Sequence, residues 1–297
     1  MVELNQCPAC GNTEFLPRVT TKDYTVTGEE FQIVTCRQCT LGITTPRPAD
    51  NQLPNYYESQ DYISHTNKAS SLIDHLYLLA RKITLRQKTQ LLKTYAPGST
   101  ILDYGCGTGN FLAYLNRQGF NTAGVEPSPA ARKIANDLLP NSAVTQSLSE
   151  IPGNFDAITL WHVLEHVSTL DETLQELKQK LNSNGRIIIA VPTLNSWESD
   201  IYGTHWAAYD TPRHLWHFNR KSMQTLLNRN GLKLAAIKPM KLDSFYISLL
   251  SEKYRNNQSL TITSYLRAFI NGLRSNLKAA SSGDYSSLIY LAENEHP

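Results

Sequence analysis

Residues 100–110, TILDYGCGTGN, decide the fold of this chain. Ile101, Leu102 and Tyr104 predict a short buried strand, and the glycines that follow at every second position let the backbone turn sharply and approach a ligand closely. Helix-forming sequence comes directly after them. The stretch therefore predicts a strand, a glycine-rich turn and a helix, the unit with which parallel α/β sheets bind nucleotides.

Two acidic residues accompany this turn. Asp103 lies at the end of the predicted strand, ahead of Gly105, Gly107 and Gly109, whose spacing is one residue shorter than the dinucleotide fingerprint. Glu126 ends the next apolar run, FNTAGVE, at the offset where nucleotide-binding folds place a carboxylate on ribose hydroxyls. A glycine turn alone also fits a purely conformational role, but the second acid favours a nucleotide-type cofactor.

Helical and strand patterns alternate along the rest of the chain. We predict helices at 71–95, 110–118, 129–139, 170–182 and 221–230, and strands at 121–126, near 143, at 155–160, 186–191, 233–238 and 286–292. Such alternation predicts an α/β fold with a doubly wound, mainly parallel sheet. Ligands of these sheets bind at the carboxyl ends of the strands, where both acids fall.

The N-terminal region contains two C-x-x-C knuckles, Cys7 with Cys10 and Cys36 with Cys39. Two such knuckles bring four thiolates to the corners of a tetrahedron, which suits structural zinc and leaves no open coordination position. Two disulfides or a redox-active pair are the alternatives. We predict a zinc-binding module at 1–45, a linker and cofactor-covering helical segment at 46–97, and the main domain at 98–297.

Three segments resemble motifs of class I S-adenosylmethionine-dependent methyltransferases. DYGCGTGNFL resembles the first motif, GVEPSP the second and FDAITLWHVLEHV the fourth, within residues 99–240. The chain is similar to methyltransferases of the Methyltransferase-23 and ubiquinone-methyltransferase type and, with its cysteines, to sugar C-methyltransferases and polysaccharide-biosynthesis methyltransferases. The resemblance implies a Rossmann-like, seven-stranded sheet with helices on both faces, whose last strand is antiparallel and inserted beside the sixth.

The resemblance also implies S-adenosylmethionine as cofactor. Asp103 and the glycine turn would hold its methionine portion, Glu126 the ribose, and residues 147–148 the adenine edge. An aromatic segment at 56–65 would cover the cofactor or dock the zinc module. The cofactor-binding set is then Tyr62, Asp103, Gly105, Cys106, Gly107, Gly109, Glu126, Pro127, Ser147, Leu148, Trp161 and His162.

A proton acceptor is needed where a hydroxyl or an acidic carbon is methylated. His214, in AAYDTPRHLWHFN, resembles the catalytic histidine of zinc-bearing sugar C-methyltransferases, but Arg213 stands where those enzymes have an acid. We predict His214 as the base, helped by His166 or Tyr57. In related quinone O-methyltransferases, an acid and a histidine similar to those of WHVLEHV bind a divalent metal. A packing role for these histidines is the alternative.

The chain as a whole favours a small acceptor. It has 297 residues and a formal net charge of +2, with 28 Lys and Arg against 26 Asp and Glu, so no nucleic-acid partner is expected. We expect a small-molecule or glycan-type acceptor such as a sugar or nucleotide sugar. An RNA methyltransferase and a non-catalytic cofactor-binding scaffold are the alternatives.

No secretory signal and no apolar run of membrane-spanning length is visible, so we expect a soluble, cytoplasmic protein. An insertion at 241–283 interrupts the predicted fold. Within residues 260–279, apolar residues share one helical face, which fits the chain's own core, a dimer contact or a membrane surface. The residues of this apolar stripe are Ile262, Leu266, Phe269, Ile270, Leu273 and Leu277.

Overall fold

A computed structural model of the chain describes residues 1–57, 72–139 and 143–295. The strands are β1 Phe15–Lys22, β2 Glu30–Cys36, β3 Gly42–Thr44, β4 Thr100–Tyr104, β5 Asn121–Val125, β6 Val144–Thr145, β7 Phe155–Trp161, β8 Leu181–Pro192, β9 Trp216–His217, β10 Leu232–Pro239 and β11 Ser287–Asn294. The α-helices are α1 Leu72–Tyr95, α2 Asn110–Asn116, α3 Pro129–Leu138, α4 Leu170–Gln179, α5 Trp197–Tyr202, α6 Arg220–Arg229, α7 Asp243–Arg255 and α8 Ile262–Ser282.

Seven strands form the main sheet in the order β10-β11-β8-β7-β4-β5-β6. The pairs from β8 to β6 are parallel, whereas β11 pairs antiparallel with both β10 and β8. Both faces are covered, because Ile187 and Ile189 belong to one buried cluster while the intervening Ile188 belongs to another. The predicted doubly wound α/β sheet, including its antiparallel last strand, is confirmed.

The predicted end of one helix and the predicted start of the strand after it were both wrong. The helix expected at 170–182 ends at Gln179, and the strand expected at 186–191 begins five residues earlier, at Leu181. The first part of β8 contains the polar sequence NSNG, which hides the strand pattern. Its pairing with β7 is also irregular, since the register shifts between Phe155 and Ala157.

A second sheet has the order β1-β2-β3-β9 and is antiparallel throughout. Its strand β9 follows β8 in the chain, so the cysteine-bearing N-terminal region shares a sheet with a segment of the predicted main domain. Gly42 and Ile43 pair with His217 and Trp216, respectively. The division of the chain at residues 45 and 97 stays a prediction. The segment between β8 of the main sheet and β9 of the second sheet joins the two sheets.

The insertion after β10 forms the helical hairpin of α7 and α8. The buried face of α8 consists of small residues, namely Ser264, Ala268, Gly272, Ser275 and Ala279. A side chain at position 272 would not fit, since a Cβ there would lie 2.7 Å from a ring carbon of Phe245. The apolar stripe defined above is exposed, so it forms no part of the core of this chain. None of the described helices has the length and apolar character required to traverse a bilayer.

Candidate active site at the carboxyl ends of the parallel strands

The glycine turn after β4 packs against the segment after β7. A Cβ at position 105 would lie 2.6 Å from a methyl carbon of Val163, and one at position 109 would lie 2.9 Å from Leu139. Gly107 differs, because a Cβ there would meet no atom within 4 Å. All three glycines have positive φ, between 55° and 75°. Two of them therefore serve close packing, and Gly107 borders open space that a ligand can occupy.

The two predicted acids flank this turn. Asp103 is buried and accepts a 2.5 Å hydrogen bond from the Thr159 hydroxyl. Burial raises the pKa of Asp103 to about 6, although the Thr159 hydrogen bond and the charge of Lys88 oppose the shift. The Glu126 carboxylate accepts hydrogen bonds from the backbone N–H groups of Gly107 and Ser128, both at 2.8 Å. We name Asp103, the glycine turn 105–109 and Glu126 the cofactor edge.

The remaining residues predicted to bind the cofactor differ in the burial and the hydrogen bonds of their side chains and backbone. Pro127 is exposed beside the second acid, and the Ser147 backbone N–H is occupied by a hydrogen bond to the Glu150 side chain. The Leu148 side chain is buried in the main core, and its backbone oxygen accepts a hydrogen bond from Ile151 N–H at 3.2 Å. Cys106 is buried, and burial raises the pKa of its thiol, so it remains protonated. Tyr62, the remaining member of the set, lies outside the described residues.

Trp161 ends β7 beside helix α1, and His162 follows it. The Lys88 ammonium lies 4.3 Å from the centre of the Trp161 ring. His162 has a left-handed backbone with φ 56°, and its ring nitrogens lie 3.0 Å from Asp243 and 3.3 Å from Glu165. Burial alone would lower the pKa of His162, but the hydrogen bonds to these two carboxylates outweigh it and raise the pKa to about 10. His162 is therefore a cation at neutral pH.

The predicted catalytic residues lie together. The rings of His166 and His214 are 4.6 Å apart and nearly perpendicular, and the Tyr57 hydroxyl lies 3.0 Å from His166 Nδ1. His166 Nδ1 also lies 3.0 Å from the backbone oxygen of Arg213, and His214 Nδ1 lies 2.9 Å from that of Ala208. A carbonyl oxygen only accepts, so each Nδ1 carries a proton and each ring can accept a further proton only at Nε2.

Acidic side chains adjoin these histidines although position 213 is not acidic. His214 Nε2 lies 4.0 Å from the buried Glu165 carboxylate and 3.9 Å from that of Asp210. Burial lowers the pKa of His166 to about 4. His166 is thus neutral at physiological pH. We name Tyr57, Glu165, His166 and His214 the base cluster.

Arg213 serves a different purpose from the acid that it replaces. Its guanidinium is buried and contacts Asp210 at 2.6 Å and Asp23 at 3.1 Å, and it donates to the backbone oxygen of Tyr56 at 2.8 Å. Burial would lower the pKa of Arg213, but the two carboxylates raise it above its usual value. Arg213 thereby ties the N-terminal region to the loop that carries the predicted base.

His217, which lies in the same segment as His214, supports the fold by a contact with the small sheet. Its Nε2 lies 2.9 Å from the Thr44 hydroxyl, which itself donates to the backbone oxygen of His214 at 2.8 Å. Since that hydroxyl proton is already used, His217 Nε2 donates to it. The contact links the small sheet to the predicted base.

The four N-terminal cysteines form a compact cluster. The Sγ atoms of Cys7 and Cys39 are 3.5 Å apart, as are those of Cys10 and Cys36, and all four lie within 4.8 Å of one another. Tetrahedral zinc with Zn–S bonds of about 2.3 Å places its sulfurs about 3.8 Å apart, whereas a disulfide needs about 2 Å. The donor set therefore fits zinc. Glu165, His166 and His214 form a second group with ligand atoms within 4.8 Å of one another, a spacing that a divalent cation could bridge.

The sequence did not reveal several of these contacts. Lys88 and Asp243 were not singled out, because they lie outside the matched motifs and reach the site only through the tertiary fold. Asp210 lies in the quoted segment, four residues before His214, but was not identified as its acidic neighbour. The DTP sequence around Asp210 offered a weak turn signal. The site assignments themselves, of cofactor-binding and catalytic residues, stay predictions.

The fold and this geometry agree with a family profile described as a methyltransferase domain, which matches residues 75–237, more than half of the chain. The chain therefore belongs to this methyltransferase family. Its sheet has the arrangement of the class I S-adenosylmethionine-dependent methyltransferases.

Curated relatives match over the central part of the chain. An uncharacterised methyltransferase of Alkaliphilus oremlandii is 35% identical over 102 residues, which are 33% of this chain and 47% of that protein. The mitochondrial ubiquinone biosynthesis O-methyltransferase of Schizosaccharomyces pombe is 32% identical over 103 residues, 31% of this chain and 38% of that one. The chain thus spans half or less of the length of these relatives.

Solved structures share the fold at low identity. Magnesium protoporphyrin IX methyltransferase of Synechocystis PCC 6803, solved with bound SAH, superposes with a TM-score of 0.53 at 15% identity and covers 83% of this chain and 100% of that one. The (4+2)-cyclase SpnF superposes with a TM-score of 0.50 at 17% identity, over 72% and 82% of the two chains. Because a cyclase has the same architecture, the fold does not by itself define the reaction.

Proposed function

We propose that this protein transfers the methyl group of S-adenosylmethionine to a small-molecule or glycan-type acceptor, with His214 as proton acceptor. The observation that carries the proposal is the base cluster, in which the Nδ1 atoms of two histidines face backbone oxygens and His214 Nε2 lies 4.0 Å from a buried carboxylate. Membership of a methyltransferase family supports the transfer itself.

Methyl transfer from a sulfonium is an in-line displacement, in which the acceptor's electron pair forms the new bond to carbon and the sulfur keeps the electrons of the old one. A hydroxyl or acidic carbon must lose a proton during this step. The Glu165 and Asp210 carboxylates, about 4 Å from His214 Nε2, stabilise the imidazolium that forms there. Their charges replace the acid that is missing at position 213.

In this proposal His162 and His166, the neighbours of His214, do not act as the base. His162 is already protonated at neutral pH and cannot accept a proton, so it serves to fix Asp243 and Glu165. His166 is neutral at physiological pH, because burial opposes its charged form. With Tyr57 it forms the wall that orients the acceptor.

The cofactor is assigned to the cofactor edge. Glu126 can exchange its hydrogen bonds to the turn for ribose hydroxyls, and the ionised Asp103 attracts the ammonium of the methionine portion. Gly107 leaves space for close approach of the ligand. The four cysteines would hold a structural zinc ion, which closes the N-terminal sheet and so supports the loop of the predicted base.

A small acceptor is favoured over RNA. The net charge of +2 offers little neutralisation of phosphates, and two relatives are named for methylation in ubiquinone biosynthesis or of a phytyl hydroquinone. These names support a small organic acceptor for this chain and do not identify it.

The first experiment incubates the zinc-loaded protein with methyl-labelled S-adenosylmethionine and fractionated cell extract. We expect label in the small-molecule, nucleotide-sugar or glycolipid fraction. Label in nuclease-sensitive material would replace the proposal with an RNA methyltransferase, and cofactor binding without label in any fraction would favour the scaffold.

A metal assay accompanies this experiment. We expect one tightly bound zinc per chain by elemental analysis, and its loss in the variant Cys36→Ser. If a divalent cation at the base cluster were required instead, transfer by the zinc-loaded protein would depend on added magnesium or manganese, and the histidine-base proposal would fail.

A further inference from the structure

The solvent-facing side of α8 consists of large apolar side chains. Its largest side chains point to solvent, with Ile262 88% exposed, Leu277 65%, and Leu266 and Phe269 each 59%. Its small residues point inward against α7. A surface helix of a globular protein normally buries its large apolar side chains, so this helix presents the opposite arrangement.

The exposed residues form one continuous face. At 100° per residue, the members of the apolar stripe, together with Tyr265, fall within an arc of about 140° on the helix. A contiguous apolar surface of this kind on a folded chain marks an interaction site. We therefore expect this face to be covered by a binding partner or a membrane surface.

Charge indicates the occupant. Arg267, Arg274 and Lys278 lie along one flank of the apolar face and are exposed. Residues 256–283 contain no Asp or Glu. Within the described ranges 1–57, 72–139 and 143–295, none of the three cations makes an ion pair. The flank thus carries only positive charge.

We propose that this face of α8 docks on an anionic membrane surface. Apolar side chains would enter the boundary between headgroups and acyl chains while the cations meet anionic lipids, as in other interfacial amphipathic helices. An antiparallel contact with a second copy of the chain fits less well, because a two-fold axis perpendicular to α8 would bring the like-charged flanks together.

The docking face is connected to the candidate active site. Helix α7, against which α8 packs, begins at Asp243, whose carboxylate lies 3.0 Å from His162. Docking would therefore place a lipid surface on the hairpin that also completes the site. The proposal does not depend on the identity of the methyl acceptor.

Vesicle co-sedimentation of the full chain tests the proposal. We expect binding to vesicles of phosphatidylcholine with about 30% phosphatidylglycerol to exceed binding to pure phosphatidylcholine by at least about tenfold, and to weaken in high salt. Leu273→Ser with Leu277→Ser should abolish the binding, and Arg267→Gln with Arg274→Gln should remove the preference for anionic lipid.

The matched control is Ile134→Ser with Leu138→Ser, another exposed pair four residues apart, on α3. It should leave vesicle binding unchanged, and circular dichroism should show that all variants remain folded. The proposal would be overturned if the unmodified protein bound neither kind of vesicle, or if the Leu273/Leu277 variant bound anionic vesicles as strongly as the unmodified protein. A dimer in light scattering that dissociates in that variant, without vesicle binding, would assign the face to a second copy.

Discussion

The cofactor edge and the base cluster differ in where their residues come from. Asp103, the glycine turn and Glu126 lie within 24 residues of sequence and follow two adjacent parallel strands, β4 and β5. The base cluster takes Tyr57 from before the main sheet, residues 165–166 from after β7, and His214 from a loop beyond β8. The first region is formed by neighbouring strand ends, whereas the second exists only when three remote segments pack.

The comparison predicts that the two regions can be disabled separately. The largest expected effect is on catalysis, because general acid–base groups contribute about 10²–10⁴ in rate. His214→Gln should lower the rate of methyl transfer by a factor in this range and leave the dissociation constant of S-adenosylmethionine unchanged. Steady-state kinetics and calorimetry measure the two quantities.

The control is His205→Gln, a histidine of the same loop region outside the base cluster, which should retain the rate. Equal rates in both variants would show that His214 only packs the loop, and a weaker cofactor affinity in His214→Gln would show that the two regions are not separate.

Arg213 tests the assembly of the base cluster. Arg213→Met leaves the buried Asp23 without its cation, and loss of one partner of a buried ion pair costs about 3–5 kcal/mol in the free energy of unfolding. Arg37→Met, which removes an exposed pair with Glu14, should change stability by no more than about 1 kcal/mol. Urea denaturation compares them, and similar losses would contradict the role of Arg213.

Gly107 tests the cofactor edge. Gly107→Ala puts a methyl group into open space beside the turn, where the cofactor is predicted, and should weaken S-adenosylmethionine binding by at least about tenfold, or about 1.4 kcal/mol. Gly119→Ala is matched, since Gly119 also has positive φ and open surroundings but follows α2. It should retain affinity, and an equal loss in both would attribute the effect to backbone strain alone.

The smallest expected effect is a pH dependence of cofactor affinity. Asp103 has a pKa of about 6, raised by burial, so only about a tenth of it is ionised at about pH 5. The ammonium of S-adenosylmethionine binds the ionised form, and its affinity should therefore rise by about tenfold from about pH 5 to pH 7.5. Calorimetry of Asp103→Asn should show weaker binding without this rise; an unchanged pH profile would assign the titration to another group.

The same contrast explains what could be predicted. The order of helices and strands followed from local periodicity, and the cofactor edge followed from glycines and acids that are close in sequence. The acids at the base cluster could not be found from position 213, since Asp210 lies four residues before His214 and Glu165 comes from a separate segment that meets His214 only in space.

The exterior of α8 shows a limit of pattern reading. The apolar stripe has the period of a core-facing helix, and the sequence cannot tell which side is covered. The tertiary structure decided this, because Gly272 and its small neighbours allow close approach of Phe245 on the opposite side.

The sequence by itself determined the α/β class, the glycine turn, the two acids that accompany it and each of the two cysteine knuckles, because each depends on residues that are close in the chain or on a short-range period. The tertiary structure alone decided that β9 joins the N-terminal sheet, that His162 is a cation held by Asp243, and that Arg213 anchors the loop of His214. Burial and charge partners set these roles, and both arise from segments that are distant in sequence.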